Sequence, residues 1–157
     1  MKKPKFVIDQ MCGRLAKWLR LMGYDAAYFR KIEDVELVNI ARRENRVILT
    51  RDTGLIKRSP IANGSVKVLL VDSEKLDKQL KQLVKYFNLK CNNDLKRCVE
   101  CNSELEKISK SEAKDKVPLY VYETQKILSR CTSCGRHYWR GTHWENIRSK
   151  FEEICYK

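Results

Sequence analysis

Two C-x-x-C pairs, Cys98/Cys101 and Cys131/Cys134, stand 29 residues apart. Four soft thiolates at this spacing suit a closed tetrahedral zinc site better than redox or disulfide chemistry. A site made of four thiolates leaves no open coordination position, so zinc here is expected to hold structure and not to catalyse. Asn102 and Gly135 follow the two pairs; both residue types tolerate the positive φ of tight turns around a metal. A second set of residues offers hard oxygen ligands. Asp9, Asp52 and Asp72 each come just after a short apolar run, and Asp34 opens a helical pattern. Converging carboxylates repel one another and need a cation, for which Mg²⁺ or Mn²⁺ is the natural choice. A metal held this way activates water and neutralises charge on a phosphodiester.

Each acid also has a simpler reading. Asp34 and Asp9 are placed to cap helices, Asp52 before Thr53-Gly54 suits a turn, and Asp72 with Ser73 reads mostly as a cap. Three caps need not share one sheet edge, so their convergence favours the functional reading. Arg14, Lys17 and Arg20 recur at i+3 along one helix, a pattern of solvated faces, while Arg14 beside Asp9 also suits phosphate. Arg51, next to Asp52, holds substrate or pairs with an acid. Arg42, Arg43 and Arg46 read as general surface charge.

The elements that must position these residues alternate strand and helix. Phe6-Val7-Ile8, Tyr24 to Phe29, Val47 to Thr50 and Val66 to Val71 read as strands. Helices are expected with an apolar face at Met11, Leu15, Trp18 and Met22, across Asp34 to Glu44, and with a face at Leu76, Leu80, Leu83 and Phe87. That order implies an α/β fold with a parallel sheet buried on both faces. In such sheets, sites lie outside the carboxyl ends of the strands, which is where Asp9 and Asp52 fall. A boundary near residue 90 divides the chain into 1–90 and 91–157. In the second part, Leu105 to Ile108 and Val117 to Tyr122 read as ribbon strands. Trp144, Ile147, Phe151 and Ile154 mark a closing amphipathic helix with Trp144 in its core. Cys12, Cys91 and Cys155 read as ordinary packing or surface cysteines. His137 and His143 read as structural, and Trp139 as a packing residue or a base-stacking one.

The 157 residues carry a net charge of +13, and +10 of it lies in residues 1–90, where 20 Lys and Arg face 10 Asp and Glu. A surplus of this size favours polyanions, nucleic acid before membrane. No apolar run approaches a membrane span. The start lacks the apolar core of a signal peptide, so a cytoplasmic location is expected.

Three stretches of the first part form a family pattern: Asp9 to Asp25 (DQMCGRLAKWLRLMGYD), Asp34 to Leu37 (DVEL) and Arg46 to Asp52 (RVILTRD). It continues through RCVECN at 97–102, Val117-Pro118, CTSCG at 131–135 and YWRGTHW at 138–144. The chain resembles the Mut-seven C-terminal RNase family, PIN-like nucleases with a C-terminal zinc ribbon. The resemblance implies Mg²⁺ or Mn²⁺ held by Asp9, Asp34 and Asp52, with Glu36 and Asp72 as weaker companions. It implies hydrolysis of RNA to 5′-phosphate and 3′-hydroxyl ends; RNA is the expected partner, with a ribosome or another ribonucleoprotein as a further one. The rival expectation is a non-catalytic RNA- or ribosome-binding protein on the same fold.

Overall fold

The structure is a computed structural model, and it describes residues 2–57, 63–92 and 94–156. Strand β1 (Phe6–Ile8) leads through a 3-10 turn at Gln10–Cys12 into α1 (Gly13–Leu21). Then follow β2 (Ala26–Tyr28), α2 (Asp34–Glu44), β3 (Val47–Thr50), β4 (Val68–Leu70) and α3 (Leu76–Phe87). The four strands make one parallel sheet in the order β2-β1-β3-β4. Side chains alternate across it as strand pleating requires. Phe6, Ile8 and Leu49 face α1 and α3, whereas Val7 and Ile48 face Leu37, Val38, Ile40 and Ala41 of α2. Both faces are therefore covered, as the apolar strands predict. The α1 stripe differs from the expected one: Met11 lies in the 3-10 turn and is 63% exposed, and the buried residues are Leu15, Ala16, Leu19 and Met22. The tighter turn shifts the helical phase, so a spacing counted from Met11 runs off the core face.

The second part holds an antiparallel three-stranded sheet, ordered β5 (Leu105–Ile108), β6 (Leu128–Cys131) and β7 (His137–Tyr138). Between β5 and β6 lie a short helix, α4 (Lys110–Ala113), and α5 (Leu119–Thr124). The expected strand at Val117 to Tyr122 is thus corrected to a helix. Its residues favour strands intrinsically, but Pro118 pre-sets the entry and accepts from the Val121 and Tyr122 N–H groups. Burying Val121 against Ala113 and Leu128 then decides the conformation. The final helix, α6 (His143–Cys155), buries Trp144, as expected. Its Phe151 and Ile154 join the core around α1 and α3 on the parallel sheet. The Trp18 and Phe151 rings meet edge to face at 6.1 Å. Cys91 and Cys155 form a disulfide, with Cα atoms 6.2 Å apart. That corrects their reading as unpaired packing or surface cysteines: α6 folds back beside α3 and carries Cys155 to Cys91 across 64 residues of sequence.

Candidate active site and cysteine centre

Parallel pairing sets the C-terminal ends of β1 and β3 side by side, with β2 outside one and β4 outside the other. Chain direction along the sheet reverses between β1 and β3, the switch point where open α/β sheets form their crevice. Asp9 leaves β1 at this point. It is only 7% exposed, and its N–H donates to the Leu49 carbonyl of β3 at 3.0 Å. Its side chain caps nothing; instead Oδ2 accepts a 2.8 Å hydrogen bond from the Thr50 hydroxyl. Thr50 is fully buried and its hydroxyl oxygen accepts from the Asp52 N–H at 3.0 Å. One threonine therefore joins the two acids of the switch point. Nothing in the sequence pattern singled it out, because a β-branched residue ending a strand looks like ordinary strand filling. Its signal was a hydroxyl two residues before Asp52 on an otherwise apolar strand.

Asp52 is half-buried, and its Oδ1 accepts from the Gly54 N–H at 2.9 Å, the turn geometry its sequence context suggests. Asp34 is the first residue of α2, and the N-cap position belongs to Glu33. The capping reading of Asp34 is thus replaced by a half-buried carboxylate in the first turn, where the helix dipole favours negative charge. Asp34 and Gln10 line one depression of about 400 Å³, so the segments following β2 and β1 meet. Beneath Gln10, Tyr28 braces the turn by donating to its carbonyl at 3.0 Å. Gly13 permits that approach, since a Cβ there would sit 2.8 Å from the Tyr28 oxygen. Glu36 and Asp72 are exposed.

Among the basic residues, Arg14 is exposed on the first turn of α1. Arg51 is half-buried, and its Nε is buried with no hydrogen-bond partner among the described residues. Burial, reinforced by the Asp9 charge, pushes the Cys12 thiol up, while Arg51 pulls it down; Arg51 therefore acts electrostatically at the Asp9 end of the sheet. Lys17 points elsewhere and pairs with Glu100 at 3.6 Å. Arg20 is no part of a solvated face: it is 5% exposed and donates to the Ala26 and Val99 carbonyls at 2.9 and 2.8 Å.

The four cysteines gather as their spacing predicts. The sulfur atoms of Cys98, Cys101, Cys131 and Cys134 all lie within 4.8 Å of one another and could hold a metal ion such as zinc. Among the described residues this is the group of three or more such side chains at that spacing; the three aspartates are not drawn together so closely. Asn102 and Gly135 adopt φ of 73° and 77°, as expected of the turns after each pair. Burial opposes ionisation of Cys101, but hydrogen bonds from Ser103 and neighbouring thiols bring it down to about 6. The Tyr138 hydroxyl lies 2.9 Å from the Cys98 sulfur and accepts from the Val99 N–H at 3.1 Å. His137 is half-buried one residue before it and His143 is exposed at the start of α6; neither belongs to the sulfur cluster.

The first cysteine knuckle is also tied to the parallel sheet. Asn102 accepts from the Ala26 N–H of β2 at 2.9 Å and donates to Asp25 at 2.7 Å. Asp25 pairs with Arg46 at 2.6 Å and lies 4.0 Å from Arg97. Burial alone would raise the Asp25 carboxyl, but the hydrogen bonds from Arg46 and Asn102 hold it below the ordinary carboxylate range. Arg46 also donates to the Phe6 carbonyl at 3.0 Å and is a half-buried structural residue, not the general surface charge its sequence neighbours suggest.

A family model, described as the Mut7-C RNAse domain, matches residues 4–151. The chain belongs to the Mut7-C RNAse domain family. The human protein named exonuclease mut-7 homolog is 34% identical over 105 residues, 64% of this chain. The match covers 12% of that protein's length, so the Mut7-C domain corresponds to one part of it. No solved structure matches this chain. Membership of the Mut7-C family and the human relative both point to nuclease activity, and the resemblance drawn from sequence is borne out.

Proposed function

We propose that the chain is a metal-dependent ribonuclease that hydrolyses RNA phosphodiester bonds where β1, β2 and β3 end, with a structural zinc in the cysteine cluster. The observation that carries this reading is Asp9. It is a buried carboxylate at the switch point, wired to Asp52 through Thr50. A carboxylate at a buried position is a group that a bound cation stabilises. Asp9, Asp34 and Asp52 are the residues that would hold Mg²⁺ or Mn²⁺, whose hard-oxygen preference fits an all-carboxylate set. When bound, the ion supplies Lewis acidity toward water and phosphate. The chain's own part is to fix the carboxylates: Thr50 orients Asp9, the Gly54 N–H holds Asp52, and the α2 N-terminus favours the charge of Asp34. Arg51, with its buried unpartnered Nε, and Arg14 are suited to a phosphate of the substrate.

The second reading, a non-catalytic RNA- or ribosome-binding protein, draws on the wider spacing of the three aspartates. One comparison separates the two. RNA cleavage is measured for the wild type, Asp9→Asn and Asp52→Asn with Mn²⁺ or with EDTA. The nuclease reading expects EDTA to stop cleavage and each variant to lose roughly a hundredfold or more, consistent with the several kcal/mol a metal contributes. Unchanged cleavage in both variants sinks the site. Intact, salt-sensitive RNA binding without cleavage in any form establishes the binding protein instead.

A further inference from the structure

The three neighbouring strands that end in acids begin with bases. Lys5 precedes β1, Arg46 precedes β3 and Lys67 precedes β4, while Asp9, Asp52 and Asp72 follow the same strands. Because the strands are parallel, the cations collect at the edge opposite the acids. The ladder fixes their backbones: the Val47 N–H donates to the Lys5 carbonyl at 2.8 Å and the Ile48 N–H to that of Lys67 at 3.0 Å. At this edge lies a cavity of about 460 Å³, lined among others by Lys2, Lys3, Lys5, Arg42, Arg46 and Lys67. No acidic side chain lines it among the described residues. Arg46 is already neutralised by Asp25 and Glu44, which leaves five cations. The C-terminal dipole of α2, whose last turn supplies Arg42, opposes an anion there. It amounts to about half a charge, so five full cations outweigh it.

We propose that this cavity is a second phosphate-binding site, which holds the RNA backbone away from the point of cleavage; the identity of the polyanion rests on the ribonuclease reading. A concave cationic hollow admits the phosphates of a flexible strand, whereas a flat bilayer cannot enter it. The site also sets a length requirement. The four residues of β3 separate the two edges by about 13 Å. A stacked strand rises about 3.4 Å per nucleotide, so roughly four nucleotides cover that distance in a straight line and more are needed around the flank. Short oligonucleotides reach one edge, and longer ones engage both.

The test is binding of a fluorescein-labelled oligouridine of roughly twenty nucleotides, a length well beyond the gap between the edges. Anisotropy is read across a salt series in EDTA, so that no hydrolysis intervenes. The full chain is compared with a variant carrying Lys3→Gln, Lys5→Gln, Arg42→Gln and Lys67→Gln. A control carries Lys78→Gln, Lys81→Gln, Lys114→Gln and Lys126→Gln, four exposed lysines that do not line the cavity. The cavity variant is expected to bind about tenfold or more weakly, with a salt slope lower by roughly 3, at about 0.7 for each phosphate no longer neutralised. The control is expected to stay within about twofold. Equal weakening of both variants shows only net charge at work and overturns the site, as does no weakening in either. Unchanged RNA affinity with lost binding to phosphatidylserine-containing vesicles overturns it in favour of a membrane. Cavity-dependent binding without cleavage removes the nuclease reading alone; cleavage without cavity-dependent binding removes this site alone.

Discussion

Thr50 occupies the position on which the two switch-point acids depend, and its chemistry is narrow. A hydroxyl both donates and accepts, so it can give its proton to Asp9 while receiving the Asp52 N–H. Valine has nearly the same shape but neither capacity. Replacing this fully buried residue by Thr50→Val leaves Asp9 Oδ2 and the Asp52 N–H without their partner. Leaving such groups unmade costs about 1–3 kcal/mol of stability. Supports behind metal ligands typically contribute 10–100-fold to metal affinity or activity. Thr50→Val is therefore expected to weaken Mn²⁺ binding, read by titration of the folded protein, about tenfold or more, whereas Thr50→Ser stays within a few-fold. Equal Mn²⁺ affinity in Thr50→Val and wild type would show that Thr50 only fills space. Arg51 belongs to the same scale: a buried guanidinium nitrogen without a partner is an uncompensated cost unless a substrate phosphate completes it.

Elements were legible in proportion to how strongly their pattern repeats. Asp34–Glu44, Val47–Thr50 and Leu76–Phe87 match their expected limits, because long amphipathic helices and an apolar strand between breakers leave few alternatives. The helix at Leu119–Thr124 was missed because six residues are too few for a period to outweigh strand-favouring side chains. The Asp9, Asp34 and Asp52 positions were legible from strand order, whereas the docking of the cysteine knuckle on β2 was not. Arg20, Asp25 and Asn102 are separated by up to 79 residues from their partners, and no local spacing encodes such pairings. That docking couples the cysteine cluster to the sheet. β2 is an edge strand, and Asn102 satisfies the outward N–H of Ala26. Chelating a metal held by the four cysteines, or Cys98→Ser, should release the knuckle and with it the Ala26 amide and α1. Hydrogen exchange is expected to show lost protection at Ala26 and along α1 while Ile48 and Leu49, central in the sheet, keep theirs. Uniform loss throughout the sheet, or none at Ala26, would mean that the cysteine centre is not coupled in this way.

At the scale of the whole molecule, the chain closes on itself. The last helix leaves the ribbon, returns its Phe151 and Ile154 to the core on the parallel sheet, and is fastened by Cys91–Cys155. No helix among the described residues is long and apolar enough to cross a membrane. The cytoplasmic location expected from the sequence nonetheless meets an opposing observation in this bond. Reducing compartments keep such thiols apart, except in the disulfide-rich intracellular proteins of hyperthermophiles. The two locations predict different proteins under mild isolation. Alkylation of the denatured, chelated and unreduced chain should count five free thiols of the seven cysteines if the bond persists. Closing a loop of 64 residues is worth about 4 kcal/mol by chain entropy. At roughly 2–4 °C per kcal/mol for a chain of this size, Cys91→Ser with Cys155→Ser should melt about 10 °C lower than the oxidised protein and match the reduced one. Both cysteines sit where α6 meets the end of α3, far in sequence from the acids. The double variant should therefore lose thermal stability without losing Mn²⁺ binding at the proposed Asp9 site. Seven reactive thiols and an unchanged melting temperature would instead mean that packing of Phe151 and Ile154 alone holds the last helix in place.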